Sequence, residues 1–82
     1  MIVKGTATAL AAGATKFTNS SAVYVFNTGS AGVVTVRNSA DDADLGTIYV
    51  GAGAGLTIHL NLGEGLRGAT SMYGSNVAAM GV

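Results

Sequence analysis

The chain has 82 residues, of which 49% are hydrophobic and 10% charged, with four Lys/Arg against four Asp/Glu and a formal net charge of zero. Such a length holds one domain, residues 1–82, and the absence of Cys beside a single His excludes a disulfide framework and a structural zinc site. Lys4, Lys16, Arg37 and Arg67 stand singly, so there is no basic stripe for nucleic acid, and no apolar run reaches the roughly 18 residues of a membrane-spanning helix.

Ile2 and Val3 open on a short predicted strand. The start has a Lys among small residues, as a signal peptide does, but its would-be apolar region is mostly Ala, Thr and Gly around Leu10, and it reads as mature protein. Thr6 to Thr15 is a run of small residues in which Gly13 argues against more than a helical turn. Residues 1–16 therefore read as an N-terminal arm that either lies along a sheet edge or reaches to a neighbouring subunit. Asn19, Ser20 and Ser21 form a turn or strand entry; they match the N-glycosylation pattern, which without a secretory signal reads as coincidence.

Ser21 to Asn27, SAVYVFN, alternates Val23 and Val25 against Tyr24 and Phe26, so both faces of the strand are apolar. One face meets the core; the other requires cover from a loop, the arm or another subunit. Asn27 to Gly32 has turn chemistry and predicts a hairpin with Val33 to Arg37. The polar stretch Asn38 to Gly46 follows. Asp42, Asp44 and Gly46 are like the first half of a calcium loop, but Ala40 stands where a ligand is needed and Glu64 lies beyond the next predicted strand, so the stretch reads as a solvated loop.

The most regular pattern is Thr47 to Leu62. Ile48 and Val50 share one face and Thr47 and Tyr49 the other; then Leu56, Ile58, Leu60 and Leu62 alternate with Thr57, His59 and Asn61. Gly51, Gly53 and Gly55 between the runs predict a tight reversal, making this a central hairpin. After a turn at Gly63 to Gly65, Leu66 to Tyr73 and Asn76 to Val82 read as two closing strands joined by a two-residue turn at Gly74 and Ser75. The whole predicts an all-β fold, a single small antiparallel β-sandwich or barrel of six to eight short strands.

Chemistry-bearing constellations are missing from this frame. GAGAG has no following Lys and opens a strand, unlike a phosphate loop. His59 lies on a polar face with no constrained Ser and no carboxylate behind it in the sequence pattern, and Asp41, Asp42, Asp44 and Glu64 belong to a chain too short to add a substrate cleft. The chain reads as a non-enzyme with no cofactor and no metal. Low charge and a core small for its ordering entropy point instead to self-association. The aromatic residues Tyr24, Phe26, Tyr49 and Tyr73 offer a contact surface, and Tyr24, Phe26 and Tyr49 are the candidate assembly residues; filling the core is the competing role for the first two.

From about Ser21 onward, the segments SAVYVFNTGSAGVVTVRN, GTIYVGAGAGLTIHLNLGEGLRG and MYGSNVAAMGV resemble the small β-sandwich structural proteins of tailed bacteriophages, the head decoration (cement) type. The resemblance implies a virion protein, made in the host cytoplasm and placed on the capsid surface. It implies as partners itself, as a homo-oligomer expected to be a trimer, and the major capsid protein, whose subunit junctions it would brace against packaged DNA, with the N-terminal segment as the part expected to reach to a neighbour. An accessory tail, neck or fibre subunit binding a partner protein or host glycan is the alternative; a small hydrolase dependent on His59 is a third reading.

Overall fold

The computed structural model describes residues 2–18 and 20–78. They form nine strands and no helix: β1 (Ile2–Val3), β2 (Thr8–Ala9), β3 (Thr15–Lys16), β4 (Ala22–Asn27), β5 (Gly32–Arg37), β6 (Asp44–Val50), β7 (Gly55–His59), β8 (Gly65–Arg67) and β9 (Met72–Ala78). The count exceeds the expected six to eight because residues 2–16 contribute three two-residue strands.

All pairings are antiparallel. In one sheet β9 lies between β4 on one side and β1 and β2, end to end, on the other, with β7 outside β4; the second sheet runs β3-β8-β5-β6. Val23 and Val25 from β4 and Met72 from β9 meet Val34, Val50 and Leu66 of the other sheet, with Leu10 and Leu60 completing the buried cluster. Each sheet thus buries one face against the other, as the expected β-sandwich requires.

The inward faces follow the sequence alternation, whereas the pairing of strands does not. Thr47 to Leu62 is no hairpin: β6 pairs with β5 and β7 with β4, so Gly51 to Ala54 crosses from one sheet to the other. The crossing is held by Asn27 at the end of β4, whose backbone N–H donates to Ala54 O at 2.9 Å while its carbonyl accepts from Gly53 N at 2.9 Å. Leu62 leaves the apolar row, because β7 ends at His59 and the chain turns, leaving Leu62 99% exposed.

Two further hairpins are corrected in the same way. SAVYVFN and VVTVR lie in opposite sheets, and the partner of β5 is β6, around the loop 38–43. Gly74 and Ser75 form no turn either; they sit inside β9, paired with Val25 and Tyr24. Gly74 faces inward, where a Cβ would stand 2.8 Å from the Phe17 ring and 3.1 Å from Val23, so this glycine makes room for the core. Ala79 to Val82, the end of the last expected strand, and Asn19 of the glycosylation pattern lie outside the described residues.

Of the two courses open to the N-terminal segment, residues 2–16 follow the sheet edge. They pair along β9, with Lys4 N donating to Asn76 O at 2.7 Å and Leu10 N to Met72 O at 2.8 Å, then cross to β8 through β3.

Candidate assembly surfaces

The outward face of the first sheet is aromatic. Tyr24 and Phe26 project from β4 away from Val23 and Val25, and Phe26 stands opposite Tyr73 of β9 in the register. Tyr24 is half-buried because its ring lies across Gly55 of β7: a Cβ there would meet the Tyr24 Cζ at 2.6 Å and the Phe26 ring at 3.1 Å. A glycine covered by a neighbouring aromatic ring is a recognised way of fixing strand register. Phe26 and Tyr73 remain 39% and 41% exposed, with Thr57 and Ser75 beside Tyr24.

Tyr49 is elsewhere. It pairs with Val33 on the outward face of the second sheet, on the opposite side of the sandwich, where Val33 is 48% and Tyr49 67% exposed. The structure therefore brings Tyr24 and Phe26 together and separates them from Tyr49. It puts Tyr73 on the first face and Val33 on the second. Tyr73 becomes legible once Met72–Ala78 is read as one strand, since Met72 and Gly74 then point in and Tyr73 out.

Most of the charge on the second face is gathered in one network. Arg37 Nε donates to Asp41 Oδ1 at 2.8 Å and its Nη2 to Asp41 O at 2.8 Å; Arg37 Nη1 also pairs with Asp44, which accepts from Arg67 Nη2 at 3.2 Å. The Arg37 hydrogen bonds hold the Asp41 and Asp44 carboxyls below their ordinary range and push the guanidinium up. Asn38 closes the loop, donating to Asp42 Oδ1 at 2.6 Å and accepting from Asp42 N at 3.0 Å. Glu64 caps its own turn by accepting from Asn61 N at 2.8 Å. Among the described residues no three His, Cys, Asp or Glu gather to hold a metal ion.

His59 is exposed near the end of β7, opposite Ala22. A cleft of about 250 Å³ opens between Phe17, Ser20, Leu60 and Leu62. Ser20 Oγ there donates to Val77 O at 2.8 Å, so its hydroxyl is engaged in tying β9 to the strand entry. What the arrangement offers is apolar contact area on two faces and one neutralised ionic patch. No family model matches this sequence, and no curated protein or solved structure matches it.

Proposed function

We propose that this chain is a non-enzymatic virion structural subunit, most consistent with a capsid decoration protein that binds its own copies and the major capsid protein. The observation that carries the reading is the outward aromatic face of Tyr24, Phe26 and Tyr73 combined with a second outward face bearing Val33 and Tyr49. A sandwich with apolar side chains on both outer faces gains by covering them, and large exposed apolar patches mark contact surfaces. The low charge, with 10% of residues charged, supports the same role. In a shell, modest contacts repeated by symmetry add up to a strong assembly.

The second reading, a tail, neck or fibre subunit, is favoured by the hydroxyls of Thr57 and Ser75 beside Tyr24, a pairing that suits a sugar ring as well as a protein. Quantifying the chain in purified phage particles decides between them. A copy number matching the capsid lattice is the expected result, a single ring's worth favours the second reading, and absence from particles overturns both.

A further inference from the structure

β6 is the longest strand with an open side. The other sheet edges are β1, β2 and β3, of two residues each, and the five-residue β7, whereas β6 has seven, and among the described residues nothing pairs beyond it. An antiparallel strand turns half of its backbone N–H and C=O groups to each side, so β6 presents a row of unused ones. Folded proteins usually block such a row with Pro, Lys or another charge, or with a β-bulge. The bulge of β6 lies at one end, beside Asp44; from Gly46 to Val50 the strand reads GTIYV and has none of these, and the one charge of β6, Asp44, is held by Arg37 and Arg67.

Ile48 adds a second observation. It lies on the inward face, opposite Val34 and in line with Val50, yet it is 42% exposed, because the inward face ends at β6. Only a strand added at this edge both uses the free backbone groups and covers Ile48 from the side.

We infer that the occupant is the β6 strand of a second copy of this chain, paired antiparallel across a two-fold axis at Ile48. The inference deepens the assembly reading above and rests on it, with a two-fold pair as the unit where the resemblance implies a trimer. The even register of β6 spans Gly46 to Val50, since a bulge interrupts it between Gly46 and Asp44, and its midpoint is Ile48. About that axis Ile48 faces Ile48, Thr47 faces Tyr49 and Gly46 faces Val50, so the inward row stays apolar. Charge selects the antiparallel sense: the two Asp44 residues stand at opposite ends of the paired strands, about 20 to 26 Å apart at roughly 3.3 Å per residue, whereas parallel, in-register pairing would set them side by side. The contact is isologous and self-limiting, and it joins two four-stranded sheets into one.

A single cysteine tests this, because the chain has none of its own. Paired residues across an antiparallel ladder have Cα atoms about 4.5 to 5.5 Å apart, within disulfide reach. Under mild oxidation Ile48→Cys is expected to give a covalent dimer of twice the 8.0 kDa chain mass. It should form about tenfold or more faster than with Leu62→Cys, exposed away from β6, because pairing raises the effective thiol concentration. Ile48→Lys, which sets two like charges on the axis, should reduce the non-covalent dimer to single chains with an unchanged circular dichroism spectrum. Crosslinking of Ile48→Cys no faster than that of Leu62→Cys overturns the proposal. Should wild-type chains assemble but part only on Phe26→Ser, the β6 pairing fails while the assembly reading stands. Should Ile48→Cys crosslink while the chain is absent from phage particles, the pairing stands and the virion reading fails.

Discussion

Asn27 is a residue on which several chain segments converge. It is fully buried, and its side chain donates to Ser30 O at 2.8 Å and Val50 O at 3.2 Å while accepting from Gly29 N at 3.0 Å and Ser71 Oγ at 3.3 Å. The amide thereby ties the end of β4 to the end of β6 and to the loop before β9. A buried amide with every position used is stabilising, and removing it strands its partners. Asn27→Leu should cost roughly 3 kcal/mol, from two or more buried backbone groups left unpaired, seen as a lower urea midpoint at constant slope. Arg37 supplies the matching ionic prediction. Asp41 and Asp44 are held below their unfolded values, so their contribution to stability is complete at neutral pH and is lost as pH falls below about 4 to 5 and on through the lowered folded values. Urea midpoints measured across that range should fall less steeply with acid in Arg37→Gln than in wild type.

At the scale of elements, the N-terminal segment belongs to the fold. β1 and β2 cover the edge of β9, and Leu10, just beyond β2, is 1% exposed in the core. Ala14 N donates to Asp41 Oδ2 at 3.4 Å and Lys16 Nζ to Ser39 O at 2.5 Å, so the following stretch is tied to the 38–43 loop. Deleting Met1 to Gly13 should therefore destabilise the subunit by at least the roughly 2 to 5 kcal/mol of a buried Leu→Ala change, besides opening an edge. Thermal melting checks this, and an unchanged melting temperature would show that residues 2–13 contribute little to the sandwich. A loss of capsid binding in that deletion would then reflect unfolding as much as lost contact, so single substitutions at Phe26 or Tyr73 are the cleaner probes of assembly.

For the molecule as a whole, the outward faces mix apolar side chains with hydroxyls such as those of Thr57 and Ser75, and their Arg37–Asp41–Asp44–Arg67 network is internally neutralised. Association through such faces relies on apolar burial and backbone pairing, neither of which is screened by salt. The solution mass, followed by light scattering over a concentration series, should stay constant or rise between low salt and about 1 M, where screening is nearly complete. Dissociation at high salt would place the ionic network, and not the apolar faces, at the contact. Tyr49 was legible as outward-facing from alternation alone, whereas for Tyr24 and Phe26 alternation said only that they share a face, and no local pattern says which face that is or that Tyr49 stands on the other side of the sandwich.

The sequence by itself determined the all-β class, the sharing of one strand face by Val23 and Val25, the inward row at Leu56, Ile58 and Leu60, and the polar loop between β5 and β6. All of these follow from side chains alternating along an extended backbone, a property of neighbouring residues. Only the tertiary structure decided which strands pair. The choice between a hairpin at Gly51 to Ala54 and a crossing between sheets depends on Asn27, more than twenty residues away, and a continuous β9 through Gly74 depends on the Phe17 ring packed over it. Such contacts arise between segments distant in the chain, where two-residue periodicity fixes the face of a strand but carries no information about its neighbour.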